Sequence, residues 1–391
     1  MLEVLIVGGG IHGIYLANRL VVSEGLPLDR IMIIDPHDVP GQRWKELTAR
    51  TGMRFLRSPI VHHVDVDPWS LSKYMKLPDV KPWASTLGET ERPSLRLFNS
   101  HIDHVVDKSG IYKAYRRGTA LAMKDCGSHL LVETTAGAVR TRRVILAISS
   151  NENPRMPDWA MALIDKGATL RNVFEAGFSF HSISPSYSYA IVGSGLSAVQ
   201  LALAVGRLSP GKTTLITKGT LEVNALDFDP CWIGPKCQEP FAKIKDYAMR
   251  RAELQKARFT GTVPEPIYKA FGKVLAEGRV KHLTSRAEGG RVDSDGRVEL
   301  QMADGGLLMV DRVLFAIGFE KAPPGSTWLQ AVADDIGLNT HTDGYPIVDS
   351  SLRWHDRIFV SGALAELEVG AASRNVIGAR IAGDRICPAL K

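Results

Sequence analysis

The feature that most limits the fold of this chain is a glycine-rich turn that occurs twice, each time between a short apolar strand and a helical segment. The first copy follows a predicted strand at 2–7 and reads G-x-G-x-x-G, with Gly8, Gly10 and Gly13. In such a turn the first glycine permits the tight bend, the second lets the backbone approach a pyrophosphate, and the third lets helix and strand pack closely. The start of the helix then faces the anion.

The next predicted strand, at 31–34, is followed by Asp35, at the position where an acidic residue accepts hydrogen bonds from a ribose. Strand, turn, helix, strand and acid thus follow one another in the order of a dinucleotide-binding unit. We therefore predict that this first unit holds a dinucleotide. The alternative interpretation is a tight turn without a ligand.

The second copy follows a predicted strand at 189–192 and reads G-x-G-x-x-A, with Gly193, Gly195 and Ala198. The next strand of this unit ends at Lys218, where the first unit has an acid. A cation at that position can pair with a 2′-phosphate, which an acid would repel, so NADPH is favoured over NADH. A lysine that contacts only solvent is the competing interpretation of Lys218.

Strands that alternate with helices predict parallel βαβ units, and therefore an α/β fold with two Rossmann-like domains. Two dinucleotides are then needed, one that delivers hydride and one that accepts it and stays bound, which is flavin chemistry. We expect FAD on the first domain and NAD(P)H on the second. Because a strand at 357–361 and a helix from about 370 to 386 follow the second unit, the NAD(P) domain, 181–321, is predicted to be inserted into an FAD domain made of 1–180 and 322–391.

The charge and the cysteines limit the choice of partners. The formal net charge of +6 suits the attraction of anionic dinucleotides, and no nucleic-acid recognition motif accompanies it. The basic cluster at 243–258 alternates with apolar residues and predicts the solvated face of a helix. The four cysteines show neither C-x-x-C nor zinc-ligand spacing, so we expect thiols in a reducing compartment and no metal site.

Nothing in the sequence indicates a secreted protein or a membrane protein. The chain begins without a basic leader or a cleavage site, and no apolar run reaches the length of about 18 residues that spans a bilayer. We therefore expect a cytoplasmic protein that has no membrane partner and acts on a small-molecule substrate. A homo-oligomer is compatible with the sequence.

Four segments outside the glycine turns carry a resemblance to known proteins. The segment 41–44 matches a G-G-x-W pattern in its first glycine and its tryptophan, and 53–58, with 67–70 after it, is similar to M-Q-x-x-F-L-K-D followed by D-P-x-S. The segment 177–185 keeps the core G-x-x-x-H-x-x-x-P, and 316–319 is similar to A-T-G-[YF]. These segments resemble the flavin-containing monooxygenases, the Baeyer–Villiger monooxygenases and the amino-acid N-hydroxylases, which are flavoproteins with two dinucleotide-binding domains.

The resemblance implies roles for individual side chains. Arg54 and Arg57 belong to the stretch that lies against the flavin in that family, where they would steady an anionic flavin species or bound NADP. His181 would orient the nicotinamide or take part in proton traffic, with a structural linker histidine as the alternative. Contacts to the cofactors are expected from residues in the matched segments, at strand ends and at the last helix: Trp44, Gly318, Gly362, Gly370 and Asn375.

Two further places have roles that the sequence leaves open. His62 and His63 follow the flavin-facing stretch, and histidine titrates near neutral pH, which suits substrate binding or proton transfer. Hydrogen-bonded loop histidines are the alternative. The loop that contains Asp227, Asp229 and Trp232 either lines a cleft between the domains, where ligand pockets often form, or only packs against its neighbours.

The resemblance implies an FAD-dependent, NAD(P)H-using monooxygenase that transfers an oxygen atom from a flavin peroxide to a small amine, sulfur or carbonyl substrate. One alternative is an NAD(P)H-dependent flavoprotein reductase or dehydrogenase without oxygenation. A second is a non-catalytic dinucleotide-binding sensor. The sequence has no Ser-His-Asp spacing, H-E-x-x-H motif or P-loop, so a hydrolase or a kinase is not supported.

Overall fold

The computed structural model describes residues 1–390, which form two main sheets with helices packed around them. The strands are β1 Leu2–Val7, β2 Ile31–Asp35, β3 Thr86–Leu87, β4 Arg92–Pro93, β5 Tyr115–Arg117, β6 Ala120–Asp125, β7 Leu130–Thr134, β8 Gly137–Leu146, β9 Leu170–Asn172, β10 Tyr189–Val192, β11 Thr213–Thr217, β12 Glu222–Val223, β13 Thr262–Val263, β14 Val280–Thr284, β15 Ala287–Val292, β16 Val298–Met302, β17 Leu307–Val310, β18 Arg312–Phe315, β19 Arg353–His355 and β20 Ile358–Val360. The helices are α1 Ile11–Val22, α2 Gln42–Arg50, α3 Ser70–Tyr74, α4 Leu95–Ser109, α5 Asp158–Ile164, α6 Leu196–Leu208, α7 Pro235–Lys243, α8 Tyr247–Ala257, α9 Glu265–Ala276, α10 Ser326–Ile336, α11 Glu366–Val369 and α12 Val376–Ala389.

The first sheet combines strands from both ends of the chain. Its order is β19-β20-β8-β1-β2-β5, and the hairpin β6–β7 extends it beside β8. Strand β1 pairs in parallel with β2 and with β8, and its residues 4–7 are buried, which matches the continuous apolar run of a parallel strand. Helix α1 packs against α12, so the beginning and the end of the chain share one core.

The second sheet has the order β14-β11-β10-β18-β9, and all its pairs are parallel. Strand β10, helix α6 and strand β11 repeat the arrangement of β1, α1 and β2, which confirms the second Rossmann-like unit. Strand β9 at Leu170–Asn172 pairs with β18 and belongs to this sheet. The predicted start of the second domain at 181 is therefore too late, because the short strand β9 carries no sequence signal of its own.

The chain crosses between the two sheets at two places that lie side by side. Pro154 and Phe319 form an antiparallel bridge. Arg155 N donates to Gly318 O at 3.0 Å, and the amide of Glu320 donates to the carbonyl of residue 153 at 2.8 Å. The second sheet is thus inserted into the first domain through a pair of hydrogen-bonded linkers, as the sequence predicted.

A buried cluster of charges joins the inserted part to the C-terminal part of the chain. Arg251 at α8 and Arg258 after it both form ion pairs with Glu366, which is 0% exposed. Arg374 donates to the same carboxylate through Nε at 2.6 Å. Burial alone would raise the pKa of Glu366, but Arg258 and Arg374 outweigh it and lower that pKa to about 2. We call these four residues the Glu366 cluster.

The prediction of a solvated basic face at 243–258 is wrong for these arginines. Arg250 is only 5% exposed, and it donates to the carbonyls of Ala242, Ile244 and Leu367 while it pairs with Glu368. Two of these partners, Leu367 and Glu368, lie more than a hundred positions further along the chain. Alternation of basic and apolar residues cannot reveal partners at that distance.

The prediction that all four cysteines are thiols is also wrong. Cys231 and Cys237 form a disulfide between a 3₁₀ turn and α7. Cys126 is an exposed thiol and Cys387 a buried one. Within residues 1–390, no group of three or more histidine, cysteine, aspartate or glutamate side chains is placed to hold a metal ion. Every helix in that range is too short or too polar to cross a bilayer.

Two buried histidines make stability depend on pH. Burial lowers the pKa of His62 to about 4 and that of His101 to about 3, with smaller contributions from nearby positive charges. The unfolded chain binds a proton at each site near pH 6.5, whereas the folded chain does not until the pH is much lower. Stability from these groups is therefore present above pH 6.5 and is lost as the pH falls towards 4.

We expect His62→Gln to weaken this dependence. Each buried histidine costs about 2 kcal/mol at pH 5 relative to pH 7. The free energy of unfolding, measured by urea titration at both values, should therefore fall about 2 kcal/mol less in the variant than in the wild type. His181→Gln is the matched control, because the His181 side chain is exposed. Identical pH dependence of His62→Gln and the wild type would contradict this account.

Candidate functional site

A cavity of about 520 Å³ lies between the two domains. It is bordered by the first glycine turn, by α2, by the first crossing between the sheets, by the start of α12 and by the start of α6. Its wall includes Gly10, His12, Arg43, Trp44, Arg57, Ser197, Asp227, Phe319, Gly362, Arg374 and Asn375. It therefore faces both nucleotide turns.

The first glycine turn has the geometry of a phosphate cradle. A β-carbon at Gly13 would lie 1.8 Å from the carbonyl oxygen of Gly8, so helix α1 can approach β1 only with glycine there. Gly8 has φ +112°, and a β-carbon on it would lie 2.4 Å from the oxygen of Ala147. A β-carbon at Gly10 would meet nothing within 4 Å, which leaves the open side of the turn to a ligand.

A second cavity of about 290 Å³ continues from the first along the edge of the first sheet. Gly10, Arg43 and Ala147 border both cavities. Asp35 lines the second one, and its carboxylate accepts hydrogen bonds from the amide of Gly9 at 2.7 Å and from the ring of His37 at 2.7 Å. An elongated groove with a phosphate cradle in its middle fits an extended dinucleotide such as FAD.

Helix α2 supplies the wall opposite the cradle. Its indole residue, Trp44, donates from Nε1 to Asn99 at 3.1 Å, and its ring lies 5.6 Å from that of Phe98. Arg43 donates to the carbonyl of Asn151 at 3.0 Å and so connects α2 to the first crossing. The matched segment 41–44 therefore borders the cavity.

The last helix begins later than the sequence suggested. A 3₁₀ turn occupies 371–374, and α12 starts at Val376 with Asn375 before it. Asn375 and Val376 line the cavity, so the amides at the start of α12 lie next to it, and the positive end of the helix dipole favours negative charge there. The helix was expected to begin near Gly370.

Gly370 has a packing role. Its φ is +89°, and a β-carbon on it would lie 2.3 Å from the ring of Trp232. The glycine is needed so that this indole can lie against the chain, and Gly370 does not line the cavity. Gly362 does line it, whereas Gly318 serves the pairing of the two crossings.

His12 was not singled out from the sequence, although it lies within the glycine pattern and lines the cavity. Its Nε2 lies 3.1 Å from the carbonyl oxygen of Asn375, which can only accept, so Nε2 carries the proton. Its Nδ1 then accepts from the Ser361 hydroxyl at 2.8 Å. Burial lowers the pKa of His12 to about 4, so the ring is neutral at pH 7. The sequence feature that could have indicated His12 is a polar residue at the start of a largely apolar helix.

The second glycine turn reaches the same cavity through one residue, Ser197, near the start of α6. Gly193 has φ +154°, and a β-carbon on it would lie 2.5 Å from the oxygen of Ala316. Ala198 is buried in α6, and Gly195 immediately precedes that helix. The amide of Lys218 donates to Ser194 at 3.0 Å, so the exposed Lys218 lies beside the turn.

The three predicted catalytic residues are not brought together. Arg57 lines the cavity, but its guanidinium donates to the carbonyls of 224–226 and to Thr262. Arg54 and His181 are exposed and do not line the cavity. Arg57 holds the loop that follows β12. The roles of Arg54 and Arg57 at the flavin or bound NADP, and of His181 at the nicotinamide or in proton traffic, stay predictions.

The two histidines at 62–63 lie away from the cavity, whereas the loop that begins at 227 reaches it with one residue. His63 bonds to the carbonyl of Pro68 at 3.1 Å and accepts from the amide of Asp65 at 3.2 Å, and neither it nor His62 lines the cavity. Both behave as buried loop histidines. Of the loop that begins at 227, Asp227 lines the cavity and Trp232 is buried against Phe241, at 5.0 Å between ring centres.

Comparison with known proteins identifies one family and several solved structures with a similar fold. A family model described as pyridine nucleotide-disulphide oxidoreductase matches residues 2–379. A search of curated proteins by sequence finds no match.

Solved structures that are similar to this chain include three amine-acting monooxygenases. The FAD-bound cadaverine monooxygenase of desferrioxamine biosynthesis from Erwinia amylovora has a TM-score of 0.77 at 13% identity, covering 100% of this chain and 95% of that one. The ornithine N-hydroxylase from Kutzneria sp. 744, in complex with reduced FAD, NADP+ and L-ornithine, has a TM-score of 0.75 at 14% identity, and the match covers 100% of this chain and 99% of that one. The L-lysine 6-monooxygenase from Pseudomonas syringae has a TM-score of 0.72 at 19% identity, and the match covers 100% of this chain and 99% of that one. Disulfide and thioredoxin reductases match with TM-scores of 0.57 to 0.61. Because the sequence identities are this low, these similarities establish a shared fold alone.

The open side of the first glycine turn leads to a test of cofactor binding. Gly10 has extended backbone, φ −78° and ψ −165°, so Gly10→Ala introduces no strain and no clash with the protein. The methyl group would occupy the space where the pyrophosphate approaches, and we expect the affinity for FAD to fall by about tenfold or more. Gly272→Ala, also in open space but far from the cavity in α9, is the control. Flavin fluorescence titration measures both, and equal affinities would refute the cradle.

The position of Lys218 leads to a test of nucleotide choice. We expect Lys218→Ala to raise the KM for NADPH by about tenfold and to leave the KM for NADH unchanged, because only NADPH has the 2′-phosphate. Lys212 is exposed at the opposite end of β11, and Lys212→Ala is the control. Equal effects of Lys218→Ala on both nucleotides would mean that the side chain contacts solvent alone.

Proposed function

The chain belongs to the pyridine nucleotide-disulphide oxidoreductase family, and from this premise we propose that it is a monooxygenase that hydroxylates the nitrogen of a small amine. As a member of this family it is an oxidoreductase that uses FAD and NAD(P)H. The alternative of a non-catalytic sensor is therefore not retained. The proposal and the reductase alternative differ in the acceptor of the electrons, which is dioxygen in the proposal and a dithiol, a quinone or a protein in the alternative.

The observation that carries the proposal is the wall of the cavity between the domains. Its apolar part includes side chains from both domains, among them Ile11, Trp44, Leu47, Met53, Leu56, Phe174, Phe319 and Val376. An oxygen-transferring site has to exclude water, since otherwise peroxide is lost without product. Among residues 1–390, the cavity wall contains no cysteine, whereas a dithiol reductase needs a sulfur pair within reach of its cofactor.

The geometry of the two glycine turns supports an assignment of the cofactors to them. We assign the pyrophosphate of FAD to the turn at Gly8, Gly10 and Gly13, and the edge of its flavin to the start of α12 at Asn375. We assign NADPH to the turn at 193–198. Bound FAD supplies the acceptance of hydride and the activation of dioxygen.

The protein's own contribution is binding and orientation. His12, neutral and hydrogen-bonded on both ring nitrogens, fixes the first glycine turn relative to the start of α12. Trp44, held by Asn99, keeps the opposite wall in place. The amine must present a lone pair, so it has to be unprotonated where it reacts. The three similar monooxygenases carry the names of cadaverine, ornithine and lysine, which are all amines, and this supports an amine as substrate.

The overall reaction balances without a further reactant. An amine, dioxygen, NADPH and a proton give a hydroxylamine, NADP+ and water. NADPH supplies two electrons, the bond within dioxygen breaks, one oxygen atom forms the new bond to nitrogen, and the other leaves as water.

A coupling measurement tests the proposal. The FAD-loaded protein is mixed with NADPH, air-saturated buffer and a panel of primary amines and diamines, and hydroxylamine, NADPH and hydrogen peroxide are followed together. We expect at least one amine to give hydroxylamine in close to equimolar ratio to the NADPH consumed, because the apolar wall retains the oxygen. Peroxide equal to NADPH with every amine would reject oxygen transfer. Faster oxidation of NADPH by a quinone or a disulfide under anaerobic conditions would support the reductase.

A further inference from the structure

The charges on the wall of the cavity are unevenly distributed. Among the lining side chains of residues 1–390, five can titrate, and Asp227 is the one acid: the others are His12, Arg43, Arg57 and Arg374. Three arginines favour anions such as nucleotide phosphates, but all three already donate to protein groups, and Arg374 is paired with a carboxylate. The hydrogen bonds that each of these side chains already makes decide which of them can still bind a charged group of a substrate.

The three arginines are bound to the protein. Arg43 donates to the carbonyl of Asn151, and Arg57 donates to backbone carbonyls and to Thr262. Arg374 donates to Glu366 and to the hydroxyl of Tyr345 at 2.9 Å. His12 is neutral.

Asp227 has bonding capacity left. Its Oδ1 accepts one hydrogen bond, from the side-chain amide of Asn375 at 2.9 Å. Within the part of the chain that the structure describes, Oδ2 accepts none and no arginine or lysine lies within 4 Å of the carboxylate. An ionised carboxylate can accept about four hydrogen bonds. Arg57 and Arg258 interact electrostatically with Asp227 but form no ion pair with it, so one oxygen of this half-buried carboxylate is free to accept from an ammonium group.

The carboxylate is also held in a fixed position. The carbonyl of Asp227 accepts from the amide of Phe259 at 2.8 Å, and the next residue, Phe228, is 1% exposed. Arg57 holds the three preceding carbonyls, at 224–226. Asn375 connects the carboxylate to the start of α12, beside the place assigned to the flavin. A group held this rigidly can fix the position of a ligand.

We propose that Asp227 binds an ammonium group of the substrate and that the substrate is a small diamine. This inference rests on the proposed function and names its substrate class. An ammonium bound to Asp227 has no lone pair to receive oxygen, so the reacting nitrogen is a second, unprotonated amino group. The apolar wall accommodates the methylene chain between them.

Binding tests this assignment separately from turnover. The FAD-loaded, oxidised protein is titrated without NADPH with straight-chain diamines of four to six carbons and with the monoamines of equal length, by calorimetry. We expect at least one diamine to bind ten or more times more tightly than its monoamine. Asp227→Asn should remove this preference. Asp229→Asn is the matched control, because Asp229 is exposed and caps the amide of Cys231 at 2.8 Å, and it should retain the preference.

The outcomes separate the two proposals. A diamine that binds through Asp227 but yields no hydroxylamine would reject the proposed function and leave the binding site standing. Hydroxylamine production with the same diamine preference in Asp227→Asn as in the wild type would reject the site and leave the function standing. A weaker affinity of Asp227→Asn for NADPH, with its affinity for diamines unchanged, would assign the carboxylate to the nucleotide and overturn the inference.

A second variant guards against loss of folding in Asp227→Asn. Asp227→Glu keeps the charge and extends the side chain by one methylene into the cavity. We expect the most tightly bound diamine to become shorter by about one methylene. An unchanged chain-length preference in this variant would contradict a direct contact between the carboxylate and the ammonium.

Discussion

The cavity in the first domain depends on the close packing of helix α1 against the end of strand β1. A β-carbon at residue 13 would lie 1.8 Å from the carbonyl oxygen of Gly8, so this approach of helix and strand leaves no room for a side chain there. This contact turns the first amides of the helix towards the edge of the sheet. The crossings of the chain and the start of α12 assemble around the same edge, and the cavity forms where they meet. In the second domain Ala198 takes the place of the third glycine, and its methyl group is small enough for helix α6 to pack closely against the turn at Gly193.

Local patterns allowed the nucleotide turns and the fold to be predicted, because the roles of Gly8 or Gly193 depend on neighbours within a few residues. Trp44 could be placed for a similar reason, since it follows β2 closely and helix α2 has one face towards the cavity. The direction of an isolated side chain was beyond the sequence. Arg54 and Arg57 are three residues apart in an irregular segment, where no periodicity says which of them faces inwards. The structure places one of them on the surface and binds the other to carbonyls more than 160 positions away.

Partners that are distant in the sequence explain the remaining errors. Helix α8 has the composition of a solvated helix, but Glu366 and Glu368 lie over it and turn its arginines into buried ion pairs. The glycine at 370 looked like the start of a helix beside the flavin, and it serves instead to admit the ring of Trp232. His12 was overlooked because a residue at a variable position of a glycine pattern attracts no notice, although its two hydrogen bonds connect both ends of the chain.

The Glu366 cluster has a consequence for motion. Its carboxylate belongs to the outer domain, and two of its three guanidinium partners belong to the inserted one. A swivel of the inserted domain about the paired linkers would separate them and leave a charge in the interior without solvent, and breaking such a pair costs about 3–5 kcal/mol. The ion pairs of the Glu366 cluster therefore favour one mutual orientation of the two domains and oppose a large rotation of one against the other.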